Sequence, residues 1–266
     1  PGTDRRIYRM SRSAGKSRPI VGIVMQARMN SERLPGKVLL PLAGRPMLYY
    51  LLERMKSVKN ADRIIVATTT DSKDDELVEF CERQKVAVFR GNEMDVLDRF
   101  HQACSNYGLD HVVRVTSDNP LTCENHLSDL IAMHLSDGCD ISHHSGLPLG
   151  VGVGMVSFQA LDCAHRESCL MHHREHVTLY LLEPGVRERF HIGVMAAVPP
   201  CNRPELRLTV DTPEDLLMMD TLHQELYNGS NIPLEQAIFY LDRHPEIRQI
   251  NALVRQRNPR EGQHGP

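Results

Sequence analysis

The chain predicts an open α/β fold: a mostly parallel, Rossmann-like sheet with helices on both faces. Two observations carry this. Short runs of β-branched and aliphatic residues alternate with longer amphipathic stretches between residues 21 and 116, and that alternation implies βαβ units. A loop with three cations (Arg28, Arg33, Lys37) directly follows the first apolar run, at the kind of strand end where open α/β sheets bind ligands.

The elements follow in order. Residues 21–25 form a buried first strand. Residues 46–55 form a helix with Pro46 in its first turn, where proline is tolerated. Residues 63–68 are a second strand and 74–84 a helix with an acidic start, which suits the helix dipole. Residues 86–89 are a third strand. In 95–107, Val96, Leu97, Phe100, Ala103, Cys104 and Tyr107 share one stripe and Gly108 ends the helix. Residues 111–116 are a fourth strand. The pattern then loosens: a helix over 124–135, a short strand at 140–142, a glycine-rich stretch at 146–154, a helix over 170–182, and strands at 190–197 and 206–210. Thr212-Pro-Glu-Asp opens a helix to 226, and 233–243 form one more. We expect a single domain over 20–250, with 140–205 as a lobe for an acceptor or a second subunit and 251–266 as a loose tail.

Composition excludes several classes. The chain has 266 residues, 41% hydrophobic and 24% charged, and a net charge of −3. Residues 1–18 carry +5, so the remainder carries −8, which argues against nucleic-acid binding. The Arg- and Ser-rich head, residues 1–19, reads as a disordered basic extension. No apolar run reaches membrane-spanning length. Seven scattered cysteines without a C-x-x-C pair fit reduced thiols in a cytoplasm.

Three cations in one loop repel one another until an anion arrives. Arginine offers a bidentate fork and lysine a point charge, so a polyphosphate is the simplest partner. The loop lacks the P-loop and dinucleotide fingerprints. Asp118 and Asp211 each follow a run of strand formers and precede a proline closely. As a pair they could hold Mg²⁺ with phosphates and water; singly, Asp211 could cap a helix and Asp118 shape a turn. His172 and His176 could place two imidazoles one turn apart, as zinc sites do, but a polar helix face beside an anionic ligand is the preferred reading.

Residues 26–47 (Gln-Ala-Arg-Met-Asn-Ser-Glu-Arg-Leu-Pro-Gly-Lys onward) resemble the nucleotide loop of the cytidylyltransferases that make CMP-activated sugars. The spore-coat polysaccharide branch, related to the Kdo and acylneuraminate enzymes, is the nearest likeness. Residues 66–70, 89–100, 114–121, 174–178 and 207–216 agree in the same order. The resemblance implies a GT-A-like nucleotidyltransferase fold, CTP as donor, Mg²⁺ as metal, a small-molecule acceptor and a homodimer. Arg28 and Lys37 would hold the triphosphate, with Ala27, Ser31 and Arg33 in the same loop. Asp118 and Asp211 would hold the metal. Arg90 and Asp95 would lie near base or ribose, and Arg174 and His176 would face the acceptor.

The sequence departs from the family pattern. Asn30 and Glu32 stand where Gly and Thr are usual, and Leu149, Gly152 and Gly154 where sugar-handling relatives place acidic residues. Those losses point to a smaller or more anionic acceptor. The implied reaction is in-line attack by an acceptor oxygen on the α-phosphorus, with loss of pyrophosphate. The rivals are a GT-A glycosyltransferase, for which Asp118-Asn119-Pro120 supplies no D-x-D, and a non-catalytic nucleotide-binding homologue.

Overall fold

The computed structural model describes residues 18–256, and the basic head before Arg18 lies outside them. Strand β1 (Val21–Gln26) is apolar along nearly its whole length, as a strand covered on both faces should be. Its side chains alternate between two cores. Ile23 and Met25 pack with residues of α1 (Met47–Lys56), α2 (Asp75–Arg83) and α4 (Glu124–Asp137). Val24 packs with α3 (Val96–Tyr107) and α5 (Phe158–Glu167).

The remaining strands are β2 (Pro41–Leu42), β3 (Arg45–Pro46), β4 (Arg63–Thr69), β5 (Ala87–Gly91), β6 (His111–Thr116), β7 (Ile141–Ser145), β8 (Gly154–Ser157) and β9 (Ile192–Ala196). Seven of the nine form one sheet in the order β5-β4-β1-β6-β8-β7-β9. β8 runs against its neighbours β6 and β7, whereas the other pairings are parallel. The chain leaves β1 for β4 on one side and reaches β6 on the other. The crevice beyond the carboxyl ends of β1 and β6 is therefore a switch point, where such sheets take ligands.

The first half follows the sequence pattern closely. The stripe expected on α3 is buried except for a partly covered Tyr107. Asp95 caps its start by accepting from Asp98 N at 2.9 Å, and Gly108 ends it at φ 60. The second half differs in three places. The helix expected over 170–182 breaks into α6 (Met171–Glu175) and a 3₁₀ turn at Tyr180–Leu182, because Val177 turns left-handed between them at φ 53. β8 and α5 were not foreseen: Ser157 ends the strand and caps the helix, accepting from Ala160 N, so no loop residues announce the change.

The third difference bears on the site. Residues 206–210 are extended but join no sheet. Leu149 N donates to Leu206 O and Leu208 N to Leu149 O at 2.9 and 2.8 Å, and Val210 N donates to Asp118 O at 2.8 Å. Their apolar side chains belong to a third cluster with α7 (Pro213–Leu226) and α8 (Leu234–Arg243). Asn251, in the tail expected to be loose, is buried and donates to Asp215 Oδ1 at 2.9 Å. The short α9 (Pro245–Arg248) precedes it. No helix among the described residues is long and apolar enough to cross a membrane.

Candidate active site

The loop from Ala27 to Gly36 leaves β1 and is fastened at both ends. Ala27 N donates to Ala67 O at 3.2 Å, and Gly36, at φ 70, donates to Met29 O at 2.8 Å. Its midpoint is held by Asp74, which is 1% exposed. One carboxylate oxygen accepts from Met29 N at 2.7 Å, and the other accepts from both Thr68 and Thr69. Burial pushes the Asp74 carboxyl up, but these donors outweigh it and leave it below the usual range.

Lys37, in the 3₁₀ turn that closes the loop, points its ammonium at three oxygens. Nζ donates to Asp118 Oδ2 at 2.8 Å, Asp211 Oδ1 at 2.9 Å and Val210 O at 2.9 Å. The two aspartates therefore do meet, although the route differs from the expected one. Asp211 arrives on the extended 206–210 segment, which is pinned to the Asp118 carbonyl, rather than on a strand of the same sheet. The helix-cap role expected of Asp211 alone does not apply: the cap of α7 is Thr212, in a box with Asp215, whereas Asp118 does lie in a turn.

Asp211 is also held from the other side. Arg33 lies 3.0 Å from its Oδ1 and Arg207 Nη2 3.0 Å from its Oδ2. Buried Asp215 accepts from Arg207 and from Asp211 N. Burial raises the Asp211 carboxyl, but Lys37, Arg33 and Arg207 more than offset this and hold it below its ordinary value.

These groups open onto a cleft of about 660 Å³ at the switch point, a size suited to a small ligand. Ala27, Arg28, Ser31, Arg33, Lys37, Asp118, Asp211 and His176 all line it. Arg28 is 3.6 Å from Glu93. Asn30 turns away to donate to Glu93 at 3.3 Å, whereas Glu32 is exposed on the cleft wall.

Arg90, Asp95 and Arg174 are not brought to this wall. Arg90 donates to Thr69 O, Asp71 O and Asp75. Arg174 grips Asp95 with Nε and Nη2, and also donates to His165 O at 2.7 Å. Sequence reasoning missed Glu175, Asn119 and Gly150, which line the cleft, and Arg207 and Asp74, which position others. Gly150 lies in the glycine-rich stretch at 146–154, the one local signal for it. At φ 92, a Cβ there would lie 2.7 Å from Thr209 N and 2.8 Å from Asn119 Oδ1.

A mostly parallel sheet with a cationic loop and two converging carboxylates at its switch point is the arrangement expected of a nucleotidyltransferase. The sequence model of the family described as "Cytidylyltransferase" matches residues 21–254. The chain belongs to the cytidylyltransferase family. It is 40% identical to an uncharacterized protein of Methanocaldococcus jannaschii, over 91% of this chain and 98% of that one. It is 32% identical to the spore coat polysaccharide biosynthesis protein SpsF of Bacillus subtilis, over 84% of this chain and 94% of that one. Among solved structures it resembles a cytidylyltransferase from Leptospira borgpetersenii: TM-score 0.81, 28% identity, 91% of this chain and all of that one.

Proposed function

We propose that this enzyme transfers CMP from CTP to a sugar or sugar acid, releasing pyrophosphate, in the building of a cell-surface polysaccharide. The observation that carries this reading is the Lys37 ammonium set between Asp118 and Asp211 beside the Arg28–Arg33 loop. In this reading the triphosphate lies along the loop, where Arg28, Arg33 and Lys37 neutralise the departing pyrophosphate. Ser31 and the Ala27 backbone complete the cradle.

The donor set suits Mg²⁺. Asp118 and Asp211 offer hard carboxylate oxygens, and the point between them is already a cation position. When bound, Mg²⁺ would polarise a phosphate oxygen and stabilise charge developing in the displacement. The protein's own part is to hold both carboxylates ionised, through Lys37, Arg33 and Arg207, and to give Lys37 a second set of anions in the phosphates.

His176 and Glu175 face the acceptor from the opposite wall. Arg174 serves them at one remove, since its grip on Asp95 fixes the segment that carries them. Arg90 and Asp95 likewise support the nucleotide side through the turns they tie. Leu149, Gly150 and Gly152 offer no side-chain oxygen to sugar hydroxyls on their side of the cleft, which favours a smaller acceptor or one with an anionic group placed away from Glu175. The seven thiols, none paired with another, suit a reducing cytoplasm. Edge strand β9, with Val194 half exposed, and the segment just after it, with Val198 more so, suit a homodimer, which molar mass in solution tests.

The functional test is pyrophosphate release with each of the four NTPs over a panel of sugar acids, aldoses and phosphonates. Release with CTP and one acceptor class is the expected result. Release with another nucleotide, or CTP binding without turnover across the panel, rejects the reading.

A further inference from the structure

The segment after α5 gathers metal-ligating side chains that the cleft does not use. His172, His173 and Glu183 each place a ligand atom within 4.8 Å of the others. His173 is 6% exposed, and its Nε2 stands 3.5 Å from Glu183 Oε1. The two imidazole rings are 4.1 Å apart and tilted by 58°. A reversal of the chain makes this meeting. Val177 sits between the histidines and Glu183 at φ 53, a left-handed conformation that a β-branched residue adopts at a cost. Its side chain is fully buried in the core beneath α3 and α5. Backbone strain of this sort gathers at ligand clamps.

We propose that His172, His173 and Glu183 bind a divalent transition-metal ion, zinc by the chemistry of the donors, and that this ion braces the acceptor wall of the cleft. Two imidazole nitrogens and one carboxylate oxygen are a zinc set and a poor magnesium set. Zinc bonds of about 2.0–2.1 Å place tetrahedral ligand atoms about 3.3 Å apart, so modest side-chain rotations close the group. Water fills the fourth position. The ion acts as a brace: α6 carries Glu175, and His176 follows it, both lining the cleft, while Arg174 just before them is already tied to Asp95. A metal joining α6 to Glu183 fixes the other end of the same segment. The sequence spacing had suggested His172 with His176; the structure pairs His172 with its neighbour, leaving His176 to the cleft.

The test uses the full chain without a histidine tag, equilibrated with Zn²⁺ in excess Mg²⁺, so that the oxygen donors at Asp118 and Asp211 are supplied with their own ion. Expected are one tightly held zinc per chain, a tetrahedral visible spectrum when Co²⁺ replaces it, and a Tm raised by Zn²⁺ but not by Mg²⁺ alone. His172→Ala and Glu183→Gln, at partly exposed positions, should each weaken zinc binding by at least about tenfold and erase the Co²⁺ spectrum. His191→Ala, at an exposed histidine elsewhere, should leave both unchanged. Zinc binding that survives in both variants, or a wild-type protein that holds no more zinc than they do, overturns the proposal. None of these readouts involves CTP, so the result stands apart from the proposed reaction.

Discussion

Lys37 is the residue on which the proposed chemistry turns. Its ammonium is the shared partner of two carboxylates that would otherwise repel each other, and all three side chains are largely covered. Removing one member of a buried charge cluster costs about 3–5 kcal/mol when nothing replaces it, and the Arg33 and Arg207 contacts to Asp211 should bring the cost of Lys37→Met toward the lower end. Calorimetry without nucleotide should then show Mg²⁺ raising the Tm of Lys37→Met more than that of wild type, because the freed carboxylates can take the ion. Equal shifts would show that these oxygens are not the metal's. Asp118→Asn keeps the shape and loses the charge. Its turnover should fall by about 10²–10³-fold, with circular dichroism unchanged; retained activity would remove Asp118 from the reaction.

At the scale of elements, the cationic loop is a backbone excursion held by one carboxylate. Asp74→Asn puts amide protons where Thr69 N and two hydroxyls donate, and one unmatched buried donor costs about 1–3 kcal/mol. A raised KM for CTP with a smaller change in kcat is the expected signature. Gly150→Ala should lower kcat/KM at nearly constant stability of the rest of the sheet, since its Cβ collides with Thr209 N and Asn119, both on the cleft; wild-type kinetics would mean that wall yields freely. The legibility of these elements differed for physical reasons. β1 was readable because a strand covered on both faces is nearly continuously apolar, β4 and β6 because β-branched residues dominate them, and α3 because its stripe and Gly108 are local signals. The 206–210 segment has the same β-rich composition, yet its hydrogen bonds go to loop carbonyls and amides near residues 118 and 149, a long-range choice invisible in composition. α5 hid because β8 feeds it without a turn. The cationic loop and the two aspartates could be picked out singly, but Lys37 as their common partner could not, since that depends on three segments distant in sequence.

For the whole molecule, buried histidines set the acid limit of stability. Burial drives His134 down from 6.5 to about 3 and His223 to about 4; both are essentially inaccessible. A folded-state pKa below the unfolded one means that the unfolded chain binds more protons between the two values, so stability is full above about pH 6.5 and declines as pH falls toward 4 and 3. Asp74, Asp211 and Asp215, whose folded values are also depressed, add a further loss below about pH 4. Urea midpoints measured from pH 8 to pH 4 should therefore drop steadily below 6.5, and His134→Gln should flatten that slope; a midpoint indifferent to pH in this window contradicts the assignment. The anchoring of Asp211 also has a temporal meaning. Asp215 takes one of its bonds from Asn251, so a nascent polypeptide emerging from the ribosome can complete β1 through β6 before Asp211 is fully anchored. The proposed centre is thus assembled late relative to the sheet: its second aspartate gains this anchor only once residue 251 has joined the fold.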